Sequence, residues 1–319
     1  MSLAAATGKL PRMSDEKKYR RLALRIIEGR LCRLFSTGWR LAGPLVLMVA
    51  MSAAAVCNAT GLQTATAKAF DDYIHKTESR MSDELLNGPN FLWIDSLSPD
   101  ERSKAYEDLR SGRVAVENAR GAQKSSALPV PGGLIHHWKA VVFVPGVSLD
   151  RVIALLQEYD HVEEYFSPDV IHSKLMARDG ENFKVYLRLK RKYVVTTVFD
   201  TEYEVRYTRL NSTRAYSESR STKIHEVQNA GQSNEKIIAT EDDHGYLWRL
   251  NSYWRFEQAN GGVFIQCEAI SLSRDVPEGM GWAVKPFIEQ IPRESLRVTL
   301  QATRAALLKK VGFQSGGHQ

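Results

Sequence analysis

The spacing of apolar positions changes period once along this chain, near residue 132. Before that point Phe70, Tyr73, Ile74, Met81 and Leu85 recur at helical spacing with charged residues between them, which predicts an amphipathic helix over about 69–87. Gly88-Pro89-Asn90 ends it. Ser98-Pro99-Asp100-Glu101, a capping residue followed by a first-turn proline and two acids, starts a second helix running to about Arg110. Residues 113–117 read as a short strand and 121–131 as a loop. So small a prefix cannot build a strong core of its own and is expected to dock on the C-terminal two-thirds of the chain.

From Gly132 onward the period is two. Leu134, His136, Trp138, Ala140 and Val142 alternate with Ile135, His137, Lys139, Val141 and Phe143 in a strand that ends at Pro145-Gly146. Ser148 then caps a short helix with Val152, Leu155 and Leu156 on one face. Strand patterns continue over about 169–178, 182–190, 193–209, 214–227, 236–241, 245–257 and 262–274, separated by turn sequences such as Asp179-Gly180 and Asn260-Gly261-Gly262. The chain closes in helix over 281–290, with a step at Pro292, and again over 294–309, where Leu296, Leu300, Thr303 and Leu307 form a stripe. This order predicts an α+β architecture, a curved antiparallel sheet wrapped on a long C-terminal helix with a helical N-terminal extension. One helix cannot fill a strongly bent sheet of that width, so an internal cavity is expected.

Three stretches carry a resemblance: Tyr246-Leu-Trp-Arg-Leu-Asn-Ser-Tyr-Trp-Arg-Phe-Glu257, Gly262-Val-Phe-Ile-Gln-Cys-Glu-Ala-Ile-Ser-Leu-Ser-Arg274 and Ile291-Pro-Arg-Glu-Ser-Leu296. They resemble the last strands and gripping helix of the START-related superfamily of helix-grip proteins, which includes lipid-transfer domains, polyketide cyclases and the major birch-pollen allergen. The resemblance spans about residues 129–310 and implies a pocket for a hydrophobic ligand between sheet and helix. It also places the opening of that pocket near Asp160-His161 and Glu163-Glu164.

Charged positions assign the faces. In 245–257 the set Arg249, Asn251, Tyr253, Arg255 and Glu257 is far more polar than Tyr246, Trp248, Leu250, Ser252, Trp254 and Phe256, so the second set is expected inside. The same test over the other strands selects His136, Trp138, Leu187, Phe199, Thr201, Tyr203, Ser217, Ser219, Ile265 and Cys267. With Trp248, Leu250, Ser252 and Trp254 these are the candidate ligand-binding residues of the sheet. Trp282, Phe287, Ile291, Leu296 and Leu300 are the candidates on the helix. Arg249, Arg255 and Glu268 fall on the outer face, where weak cross-strand ion pairs are expected. A filled core would show the same alternation.

Charge and targeting signals change the picture at one end only. Residues 1–40 hold ten Lys/Arg and three acids, which accounts for the chain's net +6 and leaves the remainder near neutral. The body therefore offers no electrostatic case for nucleic acid. The apolar run 41–56 ends in small residues, so 1–59 reads as a signal peptide or signal anchor and 60–128 as linker and helical extension. The START-like domain then covers 129–312, and 313–319 reads as a disordered tail. The expected location is outside the cytoplasm, periplasmic or held to the membrane through residues 41–59. Cys267 is the only cysteine beyond the targeting region, so that part has no intramolecular disulfide.

No motif calls for a cofactor or a metal. His136 and His137, adjacent on a strand, point to opposite faces and cannot clamp one ion. The run Arg188, Lys190, Arg191, Lys192 reads as a solvated strand edge or as a site for anionic head groups. The expected function is binding, and by extension transport, of a lipid, polyketide or isoprenoid-like molecule. The alternatives are a cyclase- or aromatase-like enzyme using His136, Tyr203 or Tyr246 for proton transfer, and a scaffold binding a partner through the prefix helices.

Overall fold

A computed structural model describes residues 61–120, 127–192, 196–239, 242–275 and 281–315, with the side chains of 87, 281–289 and 311–315 outside the description. Residues 1–59, expected to be a targeting segment, lie outside it as well. Helix α1 (Thr64–Asn87) is followed by a 3-10 turn (Trp93–Ser96) and α2 (Pro99–Arg110). Strands β1 (Ala115–Asn118), β2 (Ala127–Val130) and β3 (Gly133–Pro145) lead to α3 (Leu149–Leu156), a 3-10 turn (Tyr159–His161) and α4 (Val162–Phe166). Then come β4 (Val170–Asp179), β5 (Asn182–Lys192), β6 (Thr196–Arg209), β7 (Arg214–Gln228), β8 (Lys236–Ile237), β9 (Arg249–Ala259), β10 (Gly262–Arg274) and α5 (Gly281–Ser315).

The strands form one open antiparallel sheet in the order β1-β3-β10-β9-β7-β6-β5-β4, with β2 added to β3 and β8 to β7. Register shifts between β4 and β5 and at Glu202/Tyr203 against β7 bend it. The turn between β9 and β10 is Asn260-Gly261, both with positive φ (55° and 75°), the requirement of a two-residue turn that matches strand twist. The α+β helix-grip architecture expected from the pattern is therefore present.

The differences have local causes. Helix α1 begins five residues early because Thr66, fully buried, donates its hydroxyl to the Pro131 carbonyl (2.5 Å), a tertiary contact that no periodicity reveals. Part of the expected loop 121–131 is strand β2, paired with the start of β3. The expected strand 236–241 contains only Lys236–Ile237. Helix α5 is continuous through Pro292 and runs to Ser315, so the expected step is absent and residues 313–315 are helical. Proline costs the helix a single donor there, which a long packed helix tolerates. Strand β5 lies between β4 and β6 and is not an edge. Its Arg188 pairs with Asp200 (2.7 Å) and Glu235 (2.9 Å), and its Arg191 with Asp169 (3.0 Å).

The larger correction concerns the outer face. It is a second packed layer under the N-terminal extension. Phe70, Ile74 and Met81 of α1 pack on Ile135, Trp248, Tyr253, Ile270 and Leu272, and Phe91, Leu92, Ile94 and Leu109 pack on Val141, Phe143 and Phe264. Arg255 (5% exposed) and Glu268 (2%) are buried there. Arg255 donates to Glu84 (2.6 Å) and to the Phe91 carbonyl (2.9 Å), and the Trp93 amide donates to Gln266 (2.7 Å). Tyr253 donates to Glu78 (2.6 Å), which also binds Arg220 (2.8 Å). Among the described residues no helix is long and apolar enough to cross a membrane.

Candidate functional site

The concave face of the sheet is packed at one end and partly open at the other. At the packed end Val142, Val144, Phe183, Tyr207, Phe256 and Val263 meet Val152 and Leu155 of α3 and Leu300 and Leu307 of α5. Tyr159 and Tyr207 share a hydrogen bond (3.0 Å), and both rings lean on Phe183 at 5.3 and 5.7 Å. The C-terminal half of α5 is fixed by a Lys310–Glu158 ion pair and by Arg304, which donates to the Phe143 carbonyl (3.1 Å). Ile265, Cys267, Leu296 and Leu300 belong to this continuous packed cluster, and burial pushes the Cys267 thiol up.

The open end is a patch held in register across five strands. Ser219 of β7 lies opposite Ser252 of β9, which lies opposite Ala269 of β10, which lies opposite Trp138 of β3; Val205 of β6 flanks Ser219 on the other side. Leu187, Ser219, Leu250, Ser252, Trp254 and Ala269 all stay partly exposed, although the face is apolar. Trp254 donates to the Ser252 hydroxyl (3.2 Å) and stacks on Phe256 (6.3 Å). Thr201 is fully buried with its hydroxyl spent on the Leu187 carbonyl (2.7 Å), and Ser217 is buried opposite Trp254. Tyr203 is buried in the cluster with its phenol raised by burial. Phe199 packs with Val170 and Leu189 at the far end, near Leu187 and Ile224. Among the described residues of α5, Leu296 and Leu300 join the packed cluster. Of its candidates Ile291 is partly exposed, while the side chains of Trp282 and Phe287 lie outside the described residues.

Two candidates are displaced. Trp248 is buried on the opposite, convex face beneath α1, donating its indole N–H to Asp243 (2.9 Å), and Tyr246 is 50% exposed, stacked on His244 at 5.5 Å. The strand alternation that put both inside begins only at Arg249, because Gly245 with φ 70° and an Asp243 turn break the extended chain before it. The three proton-transfer candidates are therefore not brought together: Tyr246 is outside the pocket. Asp160 caps the Leu175 amide (2.8 Å), His161 pairs with Glu164 (3.0 Å), and Glu163 holds the Ser173 hydroxyl, so this cluster ties α4 to β4.

Two buried side chains of β3, His136 and Trp138, each carry an unpaired nitrogen. His136 (2% exposed) has Nε2 3.0 Å from the Ser273 hydroxyl, and burial pushes its pKa down to about 4. Among the described residues its Nδ1 has no hydrogen-bond partner, and neither does Nε1 of Trp138, which is 8% exposed. Arg293 of α5 lies 6.0 Å from the Trp138 ring centre. Buried polar atoms in a folded protein are normally paired, so two orphans two residues apart on one strand face mark a place where a partner belongs.

The adjacent His137 faces the other way. It stands 2.6 Å from Glu268 through Nε2 and 2.7 Å from the Tyr73 hydroxyl through Nδ1, and Arg80 completes the grip on Glu268. Burial lowers the His137 pKa, and the hydrogen bond and charge of Glu268 oppose that fall. Burial would raise Glu268, but the hydrogen bond from His137 and the Arg80 charge hold it down at about 2. This network went unread in the sequence. Its only signal was polar residues on both partner surfaces, Tyr73, Glu78, Arg80 and Glu84 on the helix against His137, Arg255 and Glu268 on the strands.

No family model matches the sequence, and no curated protein matches it. Solved structures are similar to part of it. A STAR-related lipid transfer protein from Xanthomonas axonopodis is 16% identical, with 58% of this chain and 99% of that one covered and a TM-score of 0.38. The Zhui aromatase/cyclase from a Streptomyces species is 11% identical, covering 56% and 96%, TM-score 0.40. Human STARD10 is 9% identical, covering 70% and 84%, TM-score 0.38. By its own architecture, an open antiparallel sheet packed on a long C-terminal helix, the chain has the helix-grip fold expected from its sequence.

Proposed function

We propose that this chain binds an apolar small molecule against the open end of the concave face, beneath the N-terminal half of α5. The observation that carries this reading is the partly exposed patch of Leu187, Leu250, Trp254 and Ala269, which packs against the margin of the buried cluster and leaves apolar surface uncovered there. Covering that patch with a ligand gains about 25 cal/mol per Å² of apolar surface removed from water. Export of the chain, and movement of the ligand between membranes or partners, extend the same reading on the strength of the basic and apolar segment 1–59. Fractionation of cells making the full chain tests the location. The Xanthomonas lipid transfer protein and the Zhui aromatase/cyclase are similar in fold, and for this chain binding without turnover is the reading its site supports.

Helices α1 and α2 pack on the convex face of the sheet, so a scaffold role would fall to their outward faces. Replacing a small residue of the patch by a large one tests the binding reading. Ala269→Trp is expected to abolish the fluorescence gain of an apolar dye such as 1-naphthylphenylamine while leaving the circular dichroism spectrum unchanged. Undiminished dye binding by a folded Ala269→Trp protein would contradict the proposed site.

A further inference from the structure

We infer that a cleft on the convex side of the sheet, between the start of α1 and the splayed ends of β7 and β9, binds a phosphate monoester group. The inference is independent of the apolar patch on the concave face. The cleft has a volume of about 550 Å³, and its walls include Leu62 and Thr64 at the start of α1, Lys223, Ile224 and His225 of β7, and Arg249 at the first position of β9. That size falls in the range of roughly 300–1,000 Å³ typical of small-molecule sites.

The sheet itself makes the opening. Strands β7 and β9 pair from Arg214 opposite Glu257 to Arg220 opposite Asn251 and no further. Past that point the Leu250 amide donates to the Ser221 hydroxyl (3.0 Å) in place of a backbone carbonyl. On the other side of β7 the register against β6 shifts at Glu202/Tyr203, so Thr222 is an extra residue there. A bulge bends its own strand, and this one parts residues 223–225 from Arg249.

The groups along the gap keep capacity for an anion. Arg249 donates Nη1 to the Trp248 carbonyl (2.9 Å), and among the described residues no carboxylate pairs with it. Its Nε and Nη2 remain, the edge of a guanidinium that grips two oxygens of an oxyanion at once. Lys223 pairs with Glu202 (2.8 Å) and stays half exposed. His225 has a buried Nδ1 with no hydrogen-bond partner among the described residues, and an imidazole can present an N–H as either tautomer or by protonation. The carboxylate opposite it, Asp200, is already held by Arg188 (2.7 Å) and Tyr186 (2.6 Å). The first turn of α1 carries no acidic residue, so the positive end of that helix adds to the same field. A phosphate monoester offers three acceptor oxygens and about −1.5 to −2 of charge to this set, where a carboxylate offers two oxygens and a single charge.

Two sources carry that group, a soluble phosphate ester and the head of a lipid such as phosphatidic acid. The test is isothermal titration of the full chain at neutral pH and low salt with glycerol 3-phosphate and with acetate, alongside flotation with phosphatidylcholine vesicles with and without phosphatidic acid. Saturable binding of glycerol 3-phosphate identifies a soluble ester as sufficient, and binding gained only with phosphatidic acid in the vesicle identifies the lipid head. In either arm Arg249→Gln is expected to weaken binding roughly tenfold or more. Lys223→Gln should weaken it severalfold and leave dye binding at the apolar patch unchanged. Lys104→Gln, at a lysine that pairs with Asp108 on α2 (3.1 Å), should change neither. Absence of phosphate-dependent binding in both arms would overturn the inference. Acetate binding as tightly as glycerol 3-phosphate, or binding that survives both Arg249→Gln and Lys223→Gln, would overturn it too. Because Lys223 is half exposed, its replacement decides the matter even where Arg249→Gln fails to fold.

Discussion

The substitution Glu268→Gln removes the buried charge on which the N-terminal extension converges. The carboxylate is 2% exposed and is held by His137 Nε2 at 2.6 Å and by Arg80. Its pKa is held down from 4.5 to about 2, which corresponds to about 3 kcal/mol of stability. Breaking a buried pair by removing one partner costs a similar amount, and Arg80 keeps Glu84 at 2.6 Å, so the lower end of that range applies. Because the folded carboxyl sits below its unfolded value, its contribution is complete above about pH 4.5 and disappears as pH falls toward 2. Urea unfolding of wild type and Glu268→Gln at pH 7 should therefore differ by about 3 kcal/mol. The gap should narrow below about pH 4.5. A difference under about 0.5 kcal/mol at pH 7, or one independent of pH, would refute the reasoning, because surface pairs behave that way.

Leu300→Ala, at a fully buried position of α5, should lose about 3 kcal/mol in the same assay without changing which dye binds. Gly262→Ala should destabilise by about 2 kcal/mol or more, since an added Cβ would lie 2.3 Å from the Val144 carbonyl and 2.7 Å from the Phe143 ring. A wild-type melting temperature for that variant would show that the β3–β10 pairing is looser than described. His136 remains neutral in the fold down to about pH 4, whereas the unfolded chain takes up a proton near 6.5. The unliganded protein should therefore lose about 3 kcal/mol between pH 6.5 and 4, and His136→Leu should remove that part of the slope.

Much of the fold was legible because strand alternation and the capping sequence at Ser98 are local signals, and both sit where the pattern put them: Ser98 with Glu101 forms the reciprocal cap of α2. The inner face of β9 was legible from Leu250 onward, because charges at Arg249, Arg255 and Glu257 alternate with apolar residues. Trp248 was not, since the turn at Gly245 is set by an Asp243 side chain whose partner Trp248 lies five residues away. The burial of Arg255 and Glu268 was equally hidden. A charged residue on a strand reads as solvent-facing unless the partner surface, here α1, is already known to carry the matching charges. His136 was placed on the inner face by alternation alone, but its unpaired Nδ1 depends on the Ser273 hydroxyl 137 residues away, which no local pattern contains.

Mass spectrometry of an organic extract of the purified protein tests the binding claim most directly. One apolar compound is expected, enriched in proportion to protein, lost from Ala269→Trp and retained by Leu300→Ala. A protein that yields no such compound and takes up none when mixed with a total lipid extract would contradict the claim.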